Sequence, residues 1–165
     1  MEQEPKSAQL QIRVSRTDKA TIQRAAKRAG MDMSTYVMSR VLPAATIQFQ
    51  ECVAACASSE APSFGLAELN SLLASLTPGE MRLTVEQPPA IRLPPFLANY
   101  VAAMVEYGCA RCQVPPPVWT RAIAPLEEPM FGSALQSLRL YLLTHSPPPF
   151  RLRNIFIDST LGQRV

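Results

Sequence analysis

The segment Gln9-Leu10-Gln11-Ile12-Arg13-Val14 places polar and apolar residues in strict alternation. A period of two marks a strand with one face toward a core and one toward water. So short a strand cannot make a stable sheet alone, and this requirement constrains the fold more than any other feature: something must pair with it. Immediately afterwards, Ser15-Arg16-Thr17-Asp18 reads as a capping box. In it the Ser15 hydroxyl accepts from the backbone N–H three residues on and Asp18 reaches back. The helix that follows is expected to gather Ile22, Ala25, Ala26 and Ala29 on one face, with Lys19, Gln23, Lys27 and Arg28 elsewhere. Gly30 stands where a helix ends in the left-handed conformation. A second helix is expected from about Asp32, carrying Met33, Tyr36, Val37 and Val41 inward before Pro43.

A strand and two helices in about 36 residues bury too little surface to stand alone. Dimerisation solves this. If the strands of two copies pair antiparallel, Leu10, Ile12 and Val14 of both face four helices, and Ile22, Val37 and Val41 complete the shared core. Gln9, Gln11 and Arg13 then point outward on a two-stranded ribbon. Such a ribbon fits the major groove of DNA, where Gln pairs with adenine edges and Arg with guanine. The bland alternative for these three residues is a solvated edge face. For Lys27 and Arg28 it is the ordinary wet side of a helix.

Charge agrees with a contact confined to the N-terminus. Residues 1–45 hold eight Lys and Arg against four acids, residues 46–138 hold four against eight, and Arg139, Arg151, Arg153 and Arg164 face Asp158 alone in the remainder. Phosphate neutralisation by a basic head supplies most non-specific affinity for nucleic acid. No run is apolar for long enough to span a bilayer, and Met1-Glu2-Gln3-Glu4-Pro5-Lys6 is too polar for a signal peptide. A cytoplasmic protein is expected, with Cys52, Cys56, Cys109 and Cys112 reduced.

The chain holds 16 prolines, about twice the usual share, and those beyond residue 45 cut it into short elements. Thr46 to Ser59 is expected as a helical extension. Phe64 to Leu76 has a helical stripe through Leu66, Leu69, Leu72, Leu73 and Leu76, ended by Thr77-Pro78-Gly79. Met81 to Val85 reads as a short strand, and Phe96 to Arg111 as a helix burying Leu97, Val101, Met104 and Val105. An irregular stretch to Pro129 precedes a last helix from Ser133 to His145 with Leu135, Leu138 and Leu142 inward. Ile155-Phe156-Ile157 is strand-like.

With these residues in view, Gln9 to Ala45 resembles a ribbon-helix-helix DNA-binding domain of the Arc and MetJ kind. Within it the pattern is similar to an antitoxin group: Arg13-Val14-Ser15, Asp18-Lys19, Ala25-Ala26-Lys27, Ala29-Gly30 and Ser34-Thr35-Tyr36-Val37. Asp32 departs from the neutral Ser or Thr usual there. A carboxylate repels phosphate, so anchoring of the DNA backbone by that helix start falls to Ser34 and Thr35. The remainder resembles extensions on antitoxins encoded beside nucleotidyltransferase-type toxins. The matching pieces are Pro115 to Trp119, Glu128-Pro129-x-Phe131, Leu138-Arg139 and Arg153-Asn154-Ile155-Phe156-Ile157.

The element pattern and the resemblance together imply a mainly α chain: an arm over residues 1–8, a ribbon-helix-helix domain over 9–45, and a mostly helical partner-binding or regulatory domain with short strand pieces over 46–165. The resemblance implies a homodimer on operator DNA, autorepression, and a toxin bound by the C-terminal region, with Trp119, Phe131, Arg151, Arg153 and Phe156 as candidate contacts. For the aromatics among them, a role in the core of a small domain is an alternative of at least equal weight. A stand-alone transcription regulator with a ligand-sensing or oligomerising C-terminal domain is the competing reading. Catalysis has little support, because His145 is the lone histidine, Glu127-Glu128 is most simply a solvated pair, and no Gly-rich phosphate loop is present. The four cysteines lack the spacing of a zinc ribbon, and small buried residues are their commoner fate. No metal or cofactor is expected.

Overall fold

The computed structural model describes residues 11–158 apart from 29, 31, 42, 43 and 59–61, and apart from the side chains of 35, 38 and 39. Gln9 and Leu10 lie outside the described residues, as do the Ala29 and Thr35 side chains. The chain is mainly helical and divides into two compact units, Met1–Leu42 and Pro43–Val165.

In the first unit, α1 spans Arg16–Arg28 and α2 spans Met33–Val41. The start of α1 is fixed by Ser15, whose Oγ accepts the Asp18 N–H at 3.1 Å and donates to the Asp18 carboxylate at 2.6 Å. Asp18 thus closes the box through the hydroxyl of Ser15, as well as favouring the positive end of the helix. Gly30 follows α1 at φ +68, a conformation that costs an L side chain but not glycine. The Tyr36 N–H bonds to the Asp32 carbonyl at 2.9 Å, so α2 begins where the sequence places it. Residues 11–14 carry no helix and pair with no strand among the described residues.

The second unit is built around α6, Pro95–Arg111. Five successive residues, Val101 to Val105, are buried on it, which is the pattern of a helix enclosed on all sides. Its end is a left-handed turn: Gln113 at φ 55 lets the Val114 N–H reach the Cys109 carbonyl at 2.9 Å. Packed with α6 are α3, Ala44–Ser58, α4, Pro62–Ser75, and α5, Pro78–Val85. Phe49, Val53, Leu69, Leu72, Met81 and Val85 meet Val101 and Val105 in one apolar core. The α3 and α4 backbones approach closely because Gly65 has no side chain; a Cβ there would lie 2.8 Å from the Cys56 nitrogen.

The expected strand Met81 to Val85 is instead helical. Thr77 caps α5, with the Glu80 N–H donating to Thr77 Oγ1 at 3.4 Å, the Thr77 N–H donating to the Glu80 carboxylate at 3.0 Å, and Pro78 in the first turn. The Thr77 hydroxyl, donating to the Glu80 carboxylate at 2.6 Å, and after it the Thr77 N–H hold the Glu80 carboxyl below its ordinary pKa. A reciprocal cap with proline at the helix start outweighs the two-residue alternation of Met81, Leu83 and Val85.

After α6 come a short α7, Val118–Arg121, and β1, Met130–Phe131. A 3-10 turn, Gln136–Leu138, leads into α8, Arg139–His145. The chain then passes through α9, Pro148–Arg151, to β2, Ile155–Phe156. β2 is the expected last strand, and it pairs parallel with β1, Met130 opposite Ile155 and Phe131 opposite Phe156. The helix expected over 133–145 starts only at Arg139. Of its three inward residues Leu142 is buried, whereas Leu135 and Leu138 are exposed. Nor does α8 end the helical part, because proline-led α9 follows it.

Candidate nucleic-acid interface

The polar side chains of the first unit stand open to solvent. Gln11 and Arg13 are exposed, as are Ser34 at the start of α2 and Arg16, Lys19, Arg24, Lys27 and Arg28 along α1. Asp18, the acid of α1, is engaged by the Ser15 hydroxyl. Arg24 Nε donates to the Ala20 carbonyl at 3.4 Å and Arg40 sits 5.4 Å from the centre of the Tyr36 ring. Six exposed cations in sixteen residues, 13–28, give a surface suited to phosphate. Arg16 and Arg24 were not singled out from the sequence, although the charge run in α1 carries that signal.

The apolar residues of the same unit are not closed off within one chain. Ile12 is 57 % exposed, Val14 47 % and Val41 60 %, and Met33 is exposed too. Ile22, Ala25, Tyr36 and Val37 are half-buried, and Ala26 is the buried residue on this side. Met33 and Val41 therefore do not point into a core of their own chain. The helices carry the apolar faces the sequence predicts, but a single copy does not cover them. Fully burying a side chain of this kind is worth about 1.5 to 3 kcal/mol relative to leaving it exposed.

The candidate partner contacts of the second unit fall into three environments. Arg151 is exposed. Trp119 is half-buried and anchored: its indole N–H donates to the Val85 carbonyl at 2.8 Å, and the ring lines an apolar groove of about 270 Å³ with Pro88, Pro89, Leu93 and Ile123. Phe131 stacks on Phe156 at 5.1 Å between ring centres and carries the Arg139 guanidinium 5.0 Å above it.

Arg153 and Phe156, expected on a partner surface, lie inside the unit and serve its core. Arg153 makes a two-pronged ion pair with Glu106 on α6, Nη2 to Oε1 at 2.6 Å and Nε to Oε2 at 3.2 Å. It also donates to Asn99 Oδ1 at 3.1 Å and to the Thr120 carbonyl at 2.7 Å. Asn99 in turn donates to the Pro95 and Ala124 carbonyls, each at 3.0 Å. A buried guanidinium is tolerable only with its donors satisfied in this way. The network ties the segment before β2 to α6 and to the loop after α7.

Cys52, Cys56 and Cys109 are buried, and burial pushes their thiols up, Cys109 to about 11. Such thiols stay protonated near neutrality and are poor nucleophiles. Cys112 is half-buried, its Sγ 3.6 Å from the Leu76 carbonyl. Among the described residues no group of three His, Cys, Asp or Glu side chains is arranged to hold a metal ion, and no helix is long and apolar enough to cross a membrane.

Against known proteins, residues 4–49 match a family model described as NikA-like, Mobilization protein NikA. The match takes in α1, α2 and the first turns of α3, and leaves the rest of the Pro43–Val165 unit uncovered. Comparison with curated proteins and with solved structures gave no match.

Proposed function

We propose that this chain is a dimeric DNA-binding protein of the ribbon-helix-helix kind, with a second unit that binds another protein. The observation that carries the proposal is the pairing of uncovered apolar and uncovered polar residues on one short segment. Ile12 and Val14 alternate with Gln11 and Arg13, ahead of two helices whose own apolar residues, Val41 among them, are also uncovered. Two copies joined antiparallel along residues 9–14 would bury Leu10, Ile12, Val14, Ile22, Val37 and Val41 together. They would present Gln9, Gln11 and Arg13 from both chains to base edges. Ser34 and Thr35 at the start of α2 would bond to the phosphate backbone. The match over residues 4–49 to a mobilization-protein family supports a chain that handles DNA. No catalytic step belongs to this reading.

For the biological setting, the family match favours mobilization of DNA, with the N-terminal dimer marking the site and the second unit holding a further protein. A second reading, favoured by the residues Arg13-Val14-Ser15, Asp18-Lys19 and Ala29-Gly30, is an antitoxin in the cytoplasm that represses its own operon and occludes a toxin. Both settings need the same DNA-binding dimer.

The test is a fluorescence-anisotropy titration of the full chain on DNA flanking its own gene, against scrambled DNA of equal length. Preference for the flanking DNA that weakens with salt is expected; equal, weak binding to both would refute base reading. Growth rescue when the product of the neighbouring gene is co-expressed separates the antitoxin setting from mobilization, which is scored by transfer frequency of DNA carrying the site.

A further inference from the structure

Helix α8 buries one of its side chains, Leu142, in its unit. Leu142 is 3 % exposed, while Leu140 is 75 % exposed. With roughly 100° between successive helical residues, Leu140 points away from the face that Leu142 anchors. Tyr141 and Leu143 beside it are exposed, and so are Leu135 and Leu138 on the preceding turn. Single exposed leucines are ordinary on protein surfaces; five apolar side chains in nine residues form a patch.

The charges around this ridge say what could cover it. From Pro129 to Ile157 the sequence contains no Asp or Glu, with Glu127, Glu128 and Asp158 just outside that stretch, and its cations are Arg139, Arg151 and Arg153. Glu106 engages Arg153, but Arg139 is exposed on α8 itself, held over the Phe131 ring. A second copy of α8 would offer Arg139 no carboxylate, since that helix carries none. Nucleic acid would have no use for the leucines. A bilayer surface calls for a broad amphipathic face, whereas α8 is about 10 Å long and offers one arginine.

We propose that the α8 ridge docks an amphipathic helix of another protein whose apolar stripe is flanked by carboxylates. Leu140 and Leu143, three residues apart, form the row that packs between the partner's side chains, and Arg139 pairs with its acidic flank. The proposal rests on the reading of the Pro43–Val165 unit as the partner-binding part, and it replaces buried Arg153 and Phe156 with a surface that solvent reaches.

The probe is a labelled synthetic helix about 18 residues long, enough to hold helical structure when docked, with leucines on one stripe and glutamates on its flanks. A companion carries lysines in place of the glutamates. The full chain is expected to bind the glutamate helix and not the lysine helix. Leu140→Gln should weaken that binding at least about tenfold, as loss of a central anchor does. Arg139→Glu should switch preference to the lysine helix. Equal binding of both helices, or indifference to Leu140→Gln, overturns the proposal. So does binding of phosphatidylglycerol vesicles without the helix, or self-association that Leu140→Gln removes. The same preparations are titrated with the flanking DNA. Variants that bind DNA normally but lose the helix assign the effect to this surface, and a wild-type chain that binds the helix but not DNA refutes the DNA reading alone.

Discussion

The two units of this chain handle their apolar side chains in opposite ways. Around α6, Phe49, Val53, Leu69, Met81, Val101 and Val105 are shut away from water by helices of the same chain. Around α1 and α2, Ala26 is buried while Ile12, Val14, Met33 and Val41 remain exposed. The composition of the two apolar sets is similar, so the difference lies in how many elements surround them. A central helix with neighbours on all sides completes its core alone. Two helices and a short extended segment do not have the elements to do so. On this account the second unit is stable as a single chain, and the first acquires its stability through association.

The comparison can be broken at several points. The largest effect is expected from Phe49→Ala, which removes a fully buried ring from the α3 side of the core. It should cost about 3 to 5 kcal/mol in denaturant unfolding, and the loss should not vary with protein concentration. A concentration-dependent loss would mean that the second unit also relies on association. Arg153→Ala should cost about 3 kcal/mol or more, because it strands the Glu106 carboxylate and the Asn99 amide oxygen without their donor. A loss within about 0.5 kcal/mol, as for a surface substitution, would show that the network does not brace α6.

Smaller effects sharpen the contrast. Arg13→Ala should weaken specific DNA binding by about 1 to 3 kcal/mol and leave the melting of both units unchanged. Unaltered affinity in a gel-shift titration would remove this strand from base reading. Thr84→Val should leave the first unit untouched and stabilise the second by about 1 kcal/mol, since the Thr84 hydroxyl is buried without a hydrogen-bond partner among the described residues. Destabilisation in the melting curve would show that the hydroxyl has a partner after all.

What the sequence discloses, and what it hides, follows the range of the interactions. The start of α1, the glycine after it and the buried stripe of α6 rest on contacts within a turn or two of the chain, and their signals are legible. The turn from Thr77 to Glu80 is equally local, yet the alternation of Met81, Leu83 and Val85 masks it, because a short helix and a short strand share that pattern. Leu135 and Leu138 have helical spacing from Leu142, but only Leu142 of the three is buried. Spacing tells which residues share a face, not whether anything covers that face. Arg153 is the clearest loss. Its partners Glu106, Asn99 and Thr120 lie 30 or more residues away, and no local signal separates it from exposed Arg151. The two-residue β1 is too short to show any period. In the first unit the two helices and the glycine between them are legible from sequence, while the closing of their core belongs, on the proposed reading, to two chains.

The central claim is that this first core closes against a second copy, and sedimentation equilibrium of the full chain tests it most directly. The wild type should sediment at twice the chain mass, and Ile12→Glu should sediment at the mass of one chain with the helices of the second unit still folded. A wild type that remains a single chain at all concentrations, or an Ile12→Glu variant that dimerises as well as the wild type, would contradict the account.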